Sequence, residues 1–266
     1  MLANPNAFKD NAIKFEDAVK SYDSSRVTFK QGKLTNVLAD QNQVEITCPD
    51  GKVENVPFDA LVIASGASYC TPWRGQDKCL SMAEREEEVR LMREEMSKAS
   101  SILCVGAGPT GLETAGYLKE YYPDKRVGIC QRGQKLLPAF DNAHDILMAE
   151  LKKLNIEVFT GKGFSEDDKM GFEYIVDCRG FKYLGPKDFM QGPMAECVEP
   201  KTGQIMVDSK GRVTNKHPIA SNHKPATLTV HKNIFSFGDV CLTPSNEIKS
   251  IVSMYQYGYQ MANNVS

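Results

Sequence analysis

Six consecutive residues, Gly106-Ala107-Gly108-Pro109-Thr110-Gly111, restrict what this chain can fold into more than any other feature. They stand between a continuously apolar run, Ile102–Val105, and a stretch, Leu112–Tyr121, whose spacing predicts a helix. Pro123 stops that helix, and Arg126–Cys130 reads as the next buried strand. Strand, glycine turn, helix and strand in this order form a parallel βαβ unit, and each glycine has its own reason. Gly106 permits the tight turn, Gly108 lets a pyrophosphate approach the backbone, and Gly111 lets helix and strand pack closely. The amides and positive dipole end of the helix then favour phosphate. Pro109 suits the first turn, where its missing N–H would have no partner anyway. A glycine turn with a purely structural task would not require the whole βαβ context, so the segment reads as a nucleotide site.

The same alternation continues. Asp141 is placed to cap a helix carrying Leu147, Leu151 and Leu154 at helical spacing, and short strands are expected at Ile156–Phe159 and Tyr174–Cys178. Strands alternating with helices predict an α/β fold with a parallel sheet covered on both faces. The residue ending the second strand selects the nucleotide: an acid accepts from a ribose 2′-hydroxyl, whereas arginine accommodates a 2′-phosphate. Here Gln131 and Arg132 occupy that place. Arg132 either faces a 2′-phosphate or is a solvated surface residue, and the choice between NAD and NADP stays open at this level.

On either side of this unit the pattern differs. Residues 27–64 read as a β-meander, with runs at Leu34–Leu38, Val44–Thr47 and Val53–Phe58 and a turn at Asp50-Gly51. Leu61–Ala64 is a buried strand ending in Ser65-Gly66, and residues 82–98 form a charged helix with Glu84–Glu88 and Arg90–Glu94 at four-residue spacing. Near the end, a strand at Ile234–Phe237 runs into Gly238-Asp239, followed by a helix near Glu247–Ala262; the polar region 208–230 reads as a long loop. An aspartate after such a strand can hydrogen-bond a cofactor's polyol chain, though alone a strand-Gly-Asp is an ordinary turn.

Composition removes other classes. A net charge of −2 gives no electrostatic case for nucleic acid or an anionic membrane, and no apolar run is long enough to cross a bilayer. The eight cysteines form no CxxC or CxxxxC pair, which argues against a zinc ribbon or redox disulfide; Cys104, Cys130 and Cys178 fall in strands as small hydrophobes. The four histidines lack ligand spacing, so no metal site is expected. With no recognisable targeting signal, the expected location is intracellular, in cytosol or mitochondrion.

Three motifs in this order, VIASG ending at Gly66, ILCVGAGPTGLE at Ile102–Glu113 and IFSFGD ending at Asp239, resemble the pyridine nucleotide–disulfide oxidoreductase superfamily. The likeness is strongest to flavoproteins of the apoptosis-inducing-factor-2 (ferroptosis-suppressor) type and, further off, to type II NADH dehydrogenases. It implies two Rossmann-like dinucleotide-binding domains: an NAD(P) domain over residues 100–184, inserted into an FAD-type domain formed by 1–99 and 185–266. Gly106, Gly108, Pro109, Thr110, Gly111, Gln131, Arg132 and Gly180 would then hold NAD(P)H, with Glu113 as the helix acid near the nicotinamide. Ser65, Gly66, Gly238 and Asp239 would lie at FAD. Hydride would pass from NAD(P)H to flavin and on to a quinone-like acceptor.

The family's first GxGxxG, which takes the ADP half of FAD, has no counterpart in this sequence. That puts FAD itself in question and leads to the expectation of a protein partner or second polypeptide completing the fold. Two alternatives to an active oxidoreductase follow: a catalytically degenerate structural subunit of a larger complex, such as a respiratory one, and a module that senses NAD(P)H without turning it over.

Overall fold

The computed structural model describes residues 12–69, 81–138, 140, 142–183, 185–219, 225 and 227–244. Along the chain these form α1 (Phe15–Val19), β1 (Lys33–Leu38), β2 (Gln43–Thr47), β3 (Val53–Pro57), β4 (Leu61–Ile63), β5 (Ala67–Tyr69) and α2 (Met82–Lys98). Next come β6 (Ser101–Val105), α3 (Pro109–Tyr121), β7 (Arg126–Gln131), α4 (Ala143–Lys153), β8 (Ile156–Thr160), β9 (Tyr174–Asp177), β10 (Phe181–Tyr183) and α5 (Pro186–Phe189). Four further strands close the described chain: β11 (Ile205–Met206), β12 (Arg212–Thr214), β13 (Val230–Ser236) and β14 (Cys241–Leu242). The chain separates into two compact units, one from residues 1–27 and 69–181, the other from 28–68 and 182–266.

In the first unit β8, β7, β6 and β9 lie side by side in that order, all parallel. Every residue of β6 is buried, as befits a central parallel strand covered on both faces. Ile102, Ile129 and Leu118 are fully buried in one core with Leu151 and Val176. Each such side chain contributes roughly 1.5–3 kcal/mol by leaving water. On the opposite face Leu103, Val105, Cys130 and Phe172 form a second cluster.

Helix α2 falls in this unit. The reason is packing: its Met96 is buried in the same core as Ile102. The helix opens with a capping box, in which Ser81 Oγ accepts from the Glu84 amide and the Glu84 carboxylate accepts from the Ser81 amide. Helix α4 begins at Ala143 with Asn142 before it; Asp141, expected as its cap, lies outside the described residues.

In the second unit β1, β2 and β3 form the expected antiparallel meander, with an irregularity between Leu34 and Asn36. A second sheet has the order β12, β13, β4, with β13 parallel to β4 and antiparallel to β12. Strand β12 corrects the reading of residues 208–230 as loop throughout: Val213 and Thr214 are buried, and a turn built on Asp208 aims the segment at β13. Three residues carry too little periodicity to be recognised without their partner. The core here joins Val37, Val44, Ile63, Ile234 and Val240 to Met190 and Met194. The helix expected near Glu247–Ala262 lies outside the described residues.

Candidate functional site

The first unit's strand order leaves a crevice. From β6 the chain steps outward through β7 and β8, then returns to β9 on the other side of β6. The loops after β6 and β9 therefore diverge, which is where open α/β sheets bind ligands. A cleft of about 830 Å³ lies there, lined among others by Gly106, Ala107, Gly108, Gln131, Arg132, Lys135, Phe164, Arg179 and Gly180.

The three glycines of the turn differ in what they do. Gly106 has φ of +109°, and a Cβ on it would stand 2.8 Å from the Cys178 carbonyl oxygen. Its amide donates to Cys130 O at 2.7 Å, and the Cys178 amide donates to Val105 O at 2.8 Å, so the turn is clamped between both neighbouring strands. Gly111 is needed for packing: a Cβ there would lie 1.8 Å from Gly106 O. Around Gly108 a Cβ would meet nothing within 4 Å, and this residue stands as the cap of α3 with no side chain satisfying the helix's first amides. Open space at Gly108 and uncapped amides behind it are what a phosphate needs.

Gln131 ends β7, and its Oε1 accepts from the Ala107 amide at 3.2 Å. The loop that follows folds against β8, with the Gly161 amide donating to Gly133 O at 3.0 Å. Arg132 and Lys135 are exposed on this loop, and among the described residues neither makes an ion pair. Across the cleft the Arg179 guanidinium donates to both Asp177 carboxylate oxygens and sits 5.6 Å from the Phe164 ring centre. Burial pushes the Cys130 thiol up, which leaves it a small hydrophobe rather than a nucleophile.

Of the residues expected at NAD(P), Gly106, Gly108, Gln131, Arg132 and Gly180 line the cleft. Pro109, Thr110 and Gly111 stand behind it in the first turn of α3, and Glu113 is exposed on that helix, outside the lining. Lys135, Phe164 and Arg179 were not anticipated. Lys135 lies four residues after Gln131 in a loop without periodicity, and Phe164 and Arg179 arrive from distant sequence.

In the second unit the parallel pairing of β4 with β13 matches Ile63 to Ser236. Both strands then end together, so Ser65-Gly66 and Gly238-Asp239 emerge at one end of one sheet. Gly66 and Gly238 take φ of +70° and +73°, conformations that favour glycine. Ser236 Oγ and the Phe237 amide both donate to Ile63 O, at 3.1 and 3.0 Å. Buried Gln204, another unforeseen residue, donates to the Asp239 and Cys241 carbonyls at 3.3 and 3.0 Å and holds the turn's shape. Among the described residues no three His, Cys, Asp or Glu side chains gather as a metal site, and no helix is long and apolar enough to cross a membrane.

Known proteins resemble this arrangement. Ferroptosis suppressor protein 1 of Taeniopygia guttata is 30% identical over 254 residues, covering 86% of this chain and 62% of that protein. A Rhodopseudomonas palustris ferredoxin reductase superposes with a TM-score of 0.66 at 14% identity, covering 100% of this chain and 66% of the other. NDH2 of Plasmodium falciparum, solved in complex with NADH, gives a TM-score of 0.52 at 22% identity over 80% of this chain and 50% of its own. The chain spans less than two thirds of the length of the curated relatives it matches. The family model described as pyridine nucleotide-disulphide oxidoreductase matches residues 2–261, and the chain belongs to that family.

Proposed function

We propose that this chain works in an NAD(P)H-dependent flavoprotein oxidoreductase, passing hydride from NAD(P)H to FAD and on to a quinone-like acceptor. The observation that carries the reading is the turn at Gly106–Gly111. It combines open space at Gly108, an uncapped helix start and a cleft at the point where the strand order reverses. Gly106 and Gly108 hold the pyrophosphate by backbone, and Gln131 and Arg132 face the adenosine ribose.

The second unit fits the reacting end of FAD. Its two glycine turns emerge at the same end of adjacent parallel strands, and Gln204 holds the backbone around Asp239. Ser65 and Gly66 would lie beside the ring system and Asp239 would bind the ribityl chain. The ADP half is not assigned to residues of this sequence. FAD, when bound, supplies two-electron acceptance of the hydride. The chain's own contribution is to bind and orient. The absence of any CxxC or CxxxxC pair supports direct onward transfer to a small acceptor rather than a disulfide relay. Relatives named for flavin chemistry, such as an FAD-dependent oxidoreductase of Flammulina velutipes that is 32% identical over 114 residues, support the same reading.

The test is the visible spectrum of the purified protein after incubation with FAD, followed by anaerobic addition of NADH or NADPH. Flavin bands that bleach on addition and return with a soluble quinone are expected. A protein that retains no flavin and oxidises neither nucleotide would overturn the proposal.

A further inference from the structure

We propose that the cleft selects NADPH over NADH, through a donor-only surface formed by Gln131, Arg132 and Lys135. The inference rests on the reading of the cleft as a dinucleotide site and adds the identity of the nucleotide.

The orientation of Gln131 is decisive. The Ala107 amide is a donor, so the Gln131 atom 3.2 Å from it must be the oxygen. The side-chain oxygen is thus engaged by the turn, and the NH₂ group lies beside Gly133, in the loop that carries Arg132 and Lys135. At the end of the second strand, where a ribose 2′-hydroxyl seeks an acceptor, this chain offers donors. The next two charges on the loop are Arg132 and Lys135, both exposed and both in the cleft wall.

Among the described residues, the cleft lining brings no opposing charge to Arg132 and Lys135. None of its lining residues is Asp or Glu. Asp177, next to the lining residue Cys178, is bound to Arg179 by two hydrogen bonds of 2.9 and 2.7 Å. A 2′-phosphate is an acceptor-only dianion and matches a surface of amide, guanidinium and ammonium donors; a 2′-hydroxyl gains little from the same groups.

The experiment is calorimetric titration of the full chain with NADP⁺ and with NAD⁺ at low ionic strength, repeated for R132A/K135A and for Q131E. NADP⁺ is expected to bind tighter by about tenfold or more, with the ratio falling toward one in R132A/K135A. Q131E keeps an oxygen for the Ala107 amide while placing a carboxylate at the ribose, so its ratio is expected to reverse toward NAD⁺. Equal affinities in the native chain, or tighter NAD⁺, would overturn this inference and leave the nucleotide site standing. A preference for NADP⁺ that survives both variants would overturn the assignment to these residues. Binding of neither nucleotide would overturn both this inference and the reading beneath it.

Discussion

At the scale of single residues, the three glycines of one motif separate into structural and ligand-facing roles. Gly111→Ala puts a methyl group into the Gly106 carbonyl, 1.8 Å away, where neither backbone can give way cheaply. A loss of about 3 kcal/mol is expected, seen as a lower urea midpoint. Gly108→Ala meets no neighbour within 4 Å and has an ordinary φ of −77°. Its stability should change by no more than about 1 kcal/mol. Nucleotide affinity should nevertheless drop by about tenfold or more, because the added methyl stands where phosphate approaches. Equal destabilisation by both substitutions would show that the motif acts only in folding. The motif and the separate task of each glycine were legible from spacing, whereas the contacts that enforce them, with Cys178 and Arg179 beside Gly106, were visible only in the structure.

At the scale of elements, one lysine joins pieces that the sequence keeps apart. Lys125, just before β7, donates from Nζ to the carbonyls of Met96 and Ser97, at 3.0 and 2.7 Å, and of Ala99. It thereby caps the C-terminal end of α2, where backbone oxygens lack helical partners and a cation is favoured. Lys125→Met is expected to cost about 1–2 kcal/mol in thermal or urea unfolding, since several carbonyls lose their donor. Nucleotide affinity is expected to stay as it was, because the contact is remote from the cleft lining. The boundaries of α2 were readable from charge spacing; its Ser81–Glu84 capping box emerged only in the structure. Its assignment to the nucleotide unit was not readable, because that depends on Met96 and Lys125 meeting partners elsewhere in the chain.

At the scale of the whole molecule, both units respond to acid with the same sign. In the first, the hydrogen bond from Arg126 holds Glu157 below its ordinary value of 4.5, and the Ser100 amide does the same for Glu173. In the second, burial lowers His231 below 6.5. A depressed folded pKa means that the unfolded chain binds more protons in the window below the unfolded value, so stability rises with pH there. The urea midpoint should therefore begin to fall as pH drops through about 6.5 with His231, and fall further below about 4.5 with the carboxylates. Glu157→Gln should flatten the lower part of that decline. A midpoint that rose on acidification would contradict the assigned partners.

What the sequence determined by itself was local and periodic. The run of apolar residues at β6, the glycine spacing at 106–111 and the alternation of the meander each encode an element within a few residues of chain, so steric and burial preferences suffice to read them. The tertiary structure decided what depends on contact between distant segments. Strand β12 exists because β13 accepts it, the cleft is basic because the loop after β7 and the end of β9 converge, and Ser65-Gly66 meets Gly238-Asp239 only through the parallel pairing of β4 with β13. Side-chain orientation belongs to the same class. That the Gln131 oxygen is held by the backbone amide of Ala107, twenty-four residues away, is recorded by no pattern along the chain.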